Sequence, residues 1–298
     1  MQESEIKYLI EEFLLEYLNI KQASENTIVA YRNDLKKFSE FCEIKGRRNI
    51  SEVTEKDIRH FLMRLNENNL SKKSISRKLS ALRSFYDFLI RNELTNRNAT
   101  KQISNPKLER KLPDVIDYET FIKIYRLLEE EKDFKEALKK KTIFEILYGC
   151  ALRVSELCDL NFIDVDTTGQ TIKVFGKGSK VRIVPIGNKS KEVINEYLEN
   201  FQHTLNNSPF FTTKKGDRIY PRLVQRIVNK YLSKVSDIKK KSPHIFRHSA
   251  ATHMLNSGAD LMAIKEILGH ENLSTTQIYT HISIEQLKKA YKQAHPKS

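Results

Sequence analysis

The chain has 298 residues, of which 39% are hydrophobic and 30% charged, as expected of a globular protein with room for two domains. Lysine and arginine number 52 against 38 aspartates and glutamates, so the net charge is +14. This excess favours a polyanionic partner such as nucleic acid; a basic surface without a ligand is the alternative. The acidic N-terminus is unlike a signal peptide, and no apolar run reaches the ~20 residues that span a bilayer. We therefore expect a cytosolic protein.

Cysteine usage supports neither a disulfide framework nor a zinc ribbon. Cys42, Cys150 and Cys158 are far apart in sequence or lie in apolar helical runs, and none belongs to a C-x-x-C pair. This pattern is typical of a protein in the reducing cytosol, where thiols stay reduced.

The first hundred residues show the periodicity of amphipathic helices. Apolar side chains recur at helical spacing within 6–18, 28–42, 58–65 and 75–89. Ser24 is a candidate N-cap, and Thr54-x-x-Asp57 resembles a capping box in which Asp replaces the usual Glu or Gln. The pattern predicts a four-helix bundle over residues 1–96.

The fourth helix is basic outside its apolar face. Its cationic residues are Lys72, Lys73, Arg77, Lys78 and Arg83. Such a run is usually a solvated face. Here, however, no acidic residue lies between Ser71 and Ser84, so no i,i+4 pair within the helix would neutralise the charge. We therefore predict contact with the phosphates or a groove of a nucleic acid.

Residues 97–115 interrupt the helical pattern. Pro106 and Pro113 bracket a basic stretch with little apolar periodicity, which is typical of an extended linker between domains. This linker could also lie along a nucleic acid. The expected organisation is an N-terminal domain of residues 1–96, a linker of residues 97–115 and a second domain of residues 116–298.

The second domain combines helices with a β-hairpin. Helices are predicted at 118–130, 134–159, 189–200, 220–235, 247–257 and 261–268, with a short amphipathic helix at 284–294. Two β-rich runs, 171–175 and 180–185, flank a Gly-Lys-Gly-Ser turn. Gly258 and Gly269 are C-cap signals for the helices that precede them.

Several polar residues of this domain could carry chemistry, although each signal is weak alone. Arg153 and Glu156 are three residues apart in a predicted apolar helix, where a structural ion pair is the commoner explanation. Lys177 lies at the hairpin tip, where it could reach a ligand, but an ordinary hairpin lysine is more common. The surrounding GKGS lacks Walker A spacing and does not support an ATP site.

Histidines and a further arginine follow. His244 and Arg247 share one helix face because they are three residues apart. His248 and His253 lie nearby and make a zinc site an alternative, but no cysteine or acidic residue completes a ligand set. We therefore expect no metal.

The last polar residues are His270 and Tyr279. His270 follows Gly269 and could simply cap a helix, whereas Tyr279, one of twelve tyrosines, lies in a stretch of small polar residues.

The order of all these residues is more specific than any one of them. The stretches ALRVSEL, GKGSKVRIVPIG, PHIFRHSAATHMLNSGADL and LGHENLSTTQIYTH together resemble the catalytic domain of tyrosine recombinases.

The resemblance extends over nearly the whole chain. SENTIVAYRNDLKKFSEF and RKLSALRSFYDFL are similar to the core-binding domain of that family, and PKLERKLPDVI is similar to its linker. Within the family, the pattern is closest to the Xer recombinases of the XerD type. It implies a mainly α fold with a small β-hairpin or sheet, made of a four-helix SAM-like core-binding domain and an α+β catalytic domain.

The resemblance also implies a role for each polar residue. Tyr279 would be the nucleophile, and Arg153 and Arg247 would bind the scissile phosphate. Lys177 would be the general acid for the leaving 5′ oxygen. Guanidiniums suit bidentate phosphate binding, and positive neighbours favour the phenolate of a tyrosine.

Three further roles complete the implied site. His244 would manage the proton of the tyrosine or phosphate, His270 would donate to a phosphate oxygen, and Glu156 would help to hold His244 and the pocket. Phe246 stands where the family more often has leucine and should only repack its helix. A phosphotyrosyl bond conserves the energy of the broken linkage, so no cofactor is expected.

The implied assembly is a clamp around duplex DNA, in which four protomers exchange strands through a Holliday junction. They would form a homo-tetramer, or a hetero-tetramer with a second Xer recombinase, and a DNA translocase could activate them. By resemblance the 284–294 helix would pack in trans, although it could instead fold back in cis.

Three rival functions are consistent with part of this pattern. A phage or mobile-element integrase is the nearest, but the start of the chain lacks an arm-binding domain before Ile6, which favours Xer. A type IB topoisomerase would share the chemistry and relax DNA without pairing two sites. A non-catalytic DNA-binding protein would share only the basic surface, and the intact set of seven candidate residues argues against it.

Overall fold

We describe a computed structural model of the chain over residues 5–19, 25–107, 114–176, 181–201, 207–269 and 291–296. The chain forms two compact units, Met1–Lys111 and Leu112–Ser298. Helices dominate the described residues of both units, and the second unit adds a small antiparallel sheet. The predicted fold class is therefore confirmed. No helix within these ranges is long and apolar enough to cross a membrane.

The first unit is a helical bundle, as predicted. Its helices are α1 (Glu5–Asn19), α2 (Glu25–Ile44), α3 (Glu55–Glu67) and α4 (Lys72–Arg91). Phe13, Phe38 and Phe85 are enclosed in their common core. The predicted capping box is present, because Thr54 Oγ1 accepts from the Asp57 N–H at 3.3 Å and the Asp57 carboxylate accepts from the Thr54 N–H at 3.0 Å.

Part of the segment predicted as a linker packs with the first unit. Ala99 and Ile103 are buried in its core. Ile116 is buried in the core of the second unit, where its N–H donates to Ser249 Oγ at 2.9 Å. The stretch between these anchors is therefore shorter than residues 97–115.

The second unit has its helices around one apolar core. They are α5 (Tyr118–Glu129), α6 (Phe134–Tyr148), α7 (Val154–Asp159), α8 (Asn188–Asn200), α9 (Pro221–Val235), α10 (Pro243–Asn256) and α11 (Leu261–Leu268). Helix α10 starts earlier than predicted because Pro243 fits the first helical position, where its missing N–H costs nothing. Phe246 fills the core, with its ring 5.3 Å from that of Phe144 and 6.2 Å from that of Phe121.

The sheet contains the predicted hairpin. Strands β1 (Val165–Asp166), β2 (Thr171–Phe175) and β3 (Val181–Pro185) are antiparallel in that order. Strand β1 has two residues, too few to show alternation in the sequence. Ile172 pairs with Val184 and Val174 with Arg182, so Arg182 occupies the face of β3 whose other residue, Val184, is fully buried.

The helix predicted at 134–159 is in fact two helices, α6 and α7. Between them, Ala151 has φ +51° and Arg153 is extended, with φ −69° and ψ 151°. Neither conformation continues an α-helix, so the prediction of one helix was wrong. Gly149 follows α6, and a β-carbon there would overlap Ser190 Oγ. The sequence is apolar throughout this region, so the pattern gave no sign of the turn, which is stabilised by close packing.

The last described residues pack on their own second unit. Tyr291 is buried and its hydroxyl donates to the Gly149 carbonyl at 2.5 Å. The ring of His295 stacks on that of Tyr291 at 4.5 Å, and its Nε2 lies 3.2 Å from the Tyr148 carbonyl oxygen. In this single chain, residues 291–296 therefore pack in cis, whereas residues 284–290 lie outside the described ranges.

Candidate active site

The turn between α6 and α7 presents Arg153 at the start of a helix. Arg153 is the N-cap residue of α7, and its backbone N–H donates to Glu156 Oε2 at 2.7 Å. The same carboxylate accepts from Arg153 Nη1 at 2.6 Å. Glu156 thus satisfies an orphan N–H of the helix end and orients the arginine side chain at the same time.

The Glu156 carboxylate faces three guanidinium groups. Besides Arg153, Arg182 on β3 donates from Nη1 to Oε1 at 2.7 Å and from Nη2 to Oε2 at 2.9 Å. Arg247 Nη1 on α10 lies 3.7 Å from Oε2. The Glu156 side chain is only 5% exposed. This cluster carries three positive charges and one negative charge, and so attracts an anion.

The three arginines also meet at the C-terminal end of α11. Arg182 Nε donates to the Ile267 carbonyl at 3.0 Å, Arg153 Nη2 donates to the Gly269 carbonyl at 2.8 Å, and Arg247 donates to the Leu268 carbonyl. Such carbonyls lack partners within a helix, and a helix C-terminus attracts cations. The end of α11, where the chain continues to His270, is therefore joined to both candidate phosphate-binding arginines.

Burial and neighbouring charges set the ionisation of this cluster. Burial alone raises the pKa of Glu156, but the hydrogen bonds and charges of Arg182 and Arg153 outweigh it and lower the pKa to about 2. Burial, with the charges of Arg153 and Arg182, lowers the pKa of Arg247 to about 10. Both groups are therefore charged at neutral pH.

His244 lies in the first turn of α10 and keeps an exposed edge. Partial burial, together with the positive charges of Lys240, Arg247 and Arg153, lowers the pKa of His244 below its ordinary value of 6.5. The imidazole is consequently neutral at pH 7 and can accept a proton. The structure thus brings together Arg153, Glu156 and Arg247 of the predicted site, and places His244 near enough to interact electrostatically with both arginines.

The other three predicted residues, Lys177, His270 and Tyr279, lie outside the described residues. The strands β2 and β3 that flank Lys177 are described, as is Gly269, which precedes His270. Gly269 is the C-cap of α11 with φ +58°, a left-handed conformation that favours glycine, as the sequence pattern predicted.

Sequence reasoning missed Arg182. Its guanidinium is buried, with a side chain that is 9% exposed. One signal was available. Arg182 alternates with Val184 on the inward side of β3, and a charged residue at a buried strand position needs a charged partner. That partner, Glu156, comes from a helix 26 positions away in sequence.

The basic residues of α4 differ in exposure. Asp34 on α2 is buried and accepts from Lys78 Nζ at 2.5 Å and from Arg77. No acid of α4 itself neutralises the run, as expected, but Asp34 of α2 does so in part. Lys78, whose side chain is only 4% exposed, is occupied by this ion pair and is not placed to contact DNA. Spacing within α4 could not show an acid 44 positions away.

The remaining members of that set have different environments. Lys72 and Lys73 are exposed in the first turn of α4. Arg83 is partly buried and donates to Asn105 Oδ1 at 3.2 Å and to the Ile103 carbonyl. Lys72 and Lys73 are thus the members of the set whose ammonium groups are best placed to meet a phosphate.

One histidine of α10 has a hydrogen-bond partner from the core. His253 Nδ1 lies 2.8 Å from the Tyr148 hydroxyl, which gives this histidine a structural partner. Across the described ranges, no group of three His, Cys, Asp or Glu side chains is placed to hold a metal ion.

Family models match both parts of the chain. The phage integrase family matches residues 120–286, and the phage integrase N-terminal SAM-like domain matches residues 10–93. The first match spans more than half of the chain and contains all seven candidate catalytic residues.

Curated relatives and solved structures agree with this match. Tyrosine recombinase XerC of Chlorobaculum tepidum is 38% identical over 315 residues, covering 96% of this chain and 94% of that protein. Tyrosine recombinase XerD of Staphylococcus saprophyticus is 37% identical over 296 residues, covering 97% and 99%. Identity alone therefore does not separate the XerD type from XerC.

The XerH site-specific recombinase bound to palindromic difH substrate shares the fold, with a TM-score of 0.71 at 23% identity over 94% of this chain and 82% of that one. The chain thus belongs to the phage integrase family, as an Xer tyrosine recombinase, an enzyme that transfers DNA strands.

Proposed function

We propose that this recombinase resolves chromosome dimers at a dif-like site. Tyr279 attacks the phosphorus, the bond to the 5′ oxygen breaks, and a 3′-phosphotyrosyl bond forms. His244 accepts the tyrosine proton, and Lys177 gives a proton to the leaving 5′ oxygen. Attack by a free 5′ hydroxyl of the partner strand reverses the step and produces a Holliday junction. No ATP is needed because the energy of the broken bond is conserved.

The observation that carries the strand-cleavage step of this proposal is the convergence of Arg153 and Arg247 beside one buried carboxylate. Each guanidinium has five N–H donors, and its bonds to Glu156 or to backbone carbonyls use only some of them. The remaining donors of both arginines bind the non-bridging oxygens and stabilise the charge that develops in the transition state. His270 directly follows the end of α11, whose carbonyls the arginines hold, and it donates a further hydrogen bond to an oxygen of the same phosphate.

The proposed assembly follows from the two-site reaction. Two duplex sites are joined by four protomers, either four copies of this chain or two copies with two of a second Xer recombinase. The protein acts on nucleoid DNA in the cytoplasm, and a DNA translocase is the proposed activator. Lys72 and Lys73 in the first unit contact the DNA backbone.

The proposal is tested by mapping covalent complexes in the host. Cells are stopped with denaturant, DNA attached to the protein is recovered, and the attached ends are sequenced, with Tyr279→Phe as the control. A single near-palindromic chromosomal site that disappears in the control is the expected result. Attachment at the borders of mobile elements would instead make the chain an integrase, and scattered attachment would make it a topoisomerase.

An absence of adducts is resolved with a second substrate. A pre-nicked duplex traps the phosphotyrosyl bond because the cleaved end diffuses away. Adducts on nicked genomic fragments indicate an enzyme that awaits a partner. A chain that forms none, and behaves as Tyr279→Phe does, is a DNA-binding protein.

Cleavage should depend on pH through His244. The pKa of His244 lies below 6.5, so the neutral, proton-accepting form predominates above that pH. We expect a constant single-turnover cleavage rate between pH 7 and pH 8. The rate should fall only on further acidification, through the lowered pKa of His244, at a pH below that expected for an ordinary histidine. Glu156, with a pKa of about 2, stays ionised over the whole range.

The matched comparison uses two histidines of α10. His244→Gln should lower the rate by ~10²–10⁴-fold, because general acid–base catalysis contributes about that factor. It should also abolish the fall in rate at low pH, here called the acidic limb of the pH profile. His248→Gln, one helical turn later, should keep both the rate and the limb. An acidic limb that persists in His244→Gln would assign it to another group.

DNA binding should depend on the exposed lysines of α4. Lys72→Gln with Lys73→Gln removes about two phosphate contacts, so the slope of log affinity against log salt should become less steep by ~2. Lys214→Gln with Lys215→Gln changes the net charge equally, at an exposed turn of the second unit. Fluorescence anisotropy on duplex DNA measures both slopes, and equal changes would show that only net charge matters.

A further inference from the structure

The inference concerns Arg182, which has no role among the seven candidate catalytic residues. Its guanidinium uses all three nitrogens within the protein. Nη1 and Nη2 form the paired hydrogen bonds to Glu156, and Nε holds the Ile267 carbonyl. One side chain on β3 therefore ties α7 to the end of α11, and a lysine has no fork that could make these three bonds.

Arg182 also saturates the Glu156 carboxylate. A carboxylate has about four lone-pair positions, and here two donors come from Arg153 and two from Arg182. Arg247 remains 3.7 Å away. If the two bonds from Arg182 were lost, the exposed lone pairs would draw Arg153 and Arg247 toward Glu156, and fewer of their donors would face a phosphate.

The stem of Arg182 lies against the turn that leads to His270. A β-carbon on Gly269 would come within 2.9 Å of Arg182 Cδ, and Gly269 already has φ +58°. The glycine is thus required by backbone conformation and by this contact. Substitution of Arg182 would consequently alter the packing of Gly269, where the segment that carries His270 and Tyr279 begins.

We propose that Arg182 is a positioning residue for strand cleavage: it occupies Glu156 and fixes the end of α11, so that Arg153 and Arg247 keep donors free for the scissile phosphate. The inference rests on the proposed strand-cleavage function. Arg182 itself is buried and does not touch the substrate in this role.

The first test compares two arginines that are at least partly buried and hydrogen-bonded within the second unit. Arg182→Lys should slow single-turnover cleavage of the mapped site by ~10–100-fold and change DNA affinity by less than about threefold. Arg218→Lys is the matched control, since Arg218 holds the Cys158 and Leu160 carbonyls at 3.1 and 3.0 Å and Asn161 Oδ1 at 2.6 Å. It should cleave at nearly the wild-type rate. Wild-type cleavage by Arg182→Lys would overturn the proposal.

A double-mutant cycle separates positioning from general damage. If Arg182 acts through Glu156, then adding Arg182→Lys to Glu156→Gln should lower the cleavage rate little further. Additive losses would overturn the proposal. Should Arg182→Lys fail to fold, Gly269→Ala is the second variant, because it keeps every charge but displaces the Arg182 stem. Its cleavage should fall similarly, and an unchanged rate would count against the role.

A measurement without DNA keeps the two proposals apart. In protein labelled with ¹³C at glutamate carboxyls, Arg182→Lys should raise the pKa of Glu156, whereas Arg218→Lys should leave it near that of the wild type. If the wild type forms no adduct on any substrate, the proposed function fails. The carboxyl titration still tests the Arg182–Glu156 contact on which the inference depends, and an unchanged pKa of Glu156 in Arg182→Lys would overturn the inference.

Discussion

Replacement of Glu156 by glutamine should lower the free energy of unfolding of the second unit by ~3–5 kcal/mol, the range found when one partner of a buried ion pair is removed. Glutamine has nearly the same shape but no charge, so three buried or partly buried guanidiniums would be left to repel one another. Arg182 and Arg247, with side chains 9% and 8% exposed, cannot turn into water to relieve this repulsion.

The three buried free cysteines can measure this effect unit by unit. Cys150 lies in the core of the second unit and Cys42 in the core of the first. Thiol labelling followed by mass spectrometry reports each local opening. Glu156→Gln should speed labelling of Cys150 by about 10²–10⁴-fold and leave that of Cys42 unchanged. Exposed Glu192→Gln is the control, and equal labelling of Cys150 in both variants would contradict the prediction.

The same destabilisation should depend on pH in a defined direction. The pKa of Glu156 is about 2 in the folded chain and has an ordinary value of 4.5. The carboxylate therefore contributes stability that is fully present above about pH 4.5 and is lost as the pH falls toward 2. The difference between the wild type and Glu156→Gln should be constant from pH 7 to pH 5 and shrink below that. A difference that grows on acidification would contradict the assignment.

Replacement of Arg247 by lysine should reduce cleavage by ~10²–10³-fold, the loss typical of removing one donor that stabilises transition-state charge. The Arg247 guanidinium holds the Ala151 carbonyl at 2.7 Å and the Leu268 carbonyl while keeping further donors for a phosphate. A single ammonium cannot satisfy both carbonyls and a non-bridging oxygen with the same planar geometry. Charge is retained, so DNA affinity should change little.

Single-turnover cleavage and DNA affinity, measured on the same mapped site, check this prediction. Arg226→Lys is the control, because Arg226 on α9 is exposed and donates to the Tyr220 hydroxyl at 2.9 Å. It should cleave like the wild type. If Arg247→Lys keeps cleavage within tenfold of wild type, or loses affinity and rate in parallel, Arg247 acts in binding rather than in the transition state.

Local patterns predicted the elements of this fold more reliably than the turns between them. The helix at Leu261–Leu268 was predicted with its C-cap glycine, because a 3.6-residue period and a left-handed cap are both local properties. The boundary inside residues 134–159 was missed because Ala151 adopts positive φ without being glycine. Charge environments were missed because they depend on residues distant in sequence, as Asp34 beside Lys78 shows.

By itself, the sequence determined the fold class, the basic character and the order of the candidate catalytic residues. Composition, periodicity and motif spacing are properties of the linear sequence and do not depend on which residues meet in space. Only the tertiary structure decided which of those residues share a charge environment. Glu156 meets arginines from the start of its own helix, from β3 and from α10, and all three reach the carbonyls that end α11. Partners so distant in sequence are chosen by packing, because a buried charge must be neutralised by whatever element the fold places beside it.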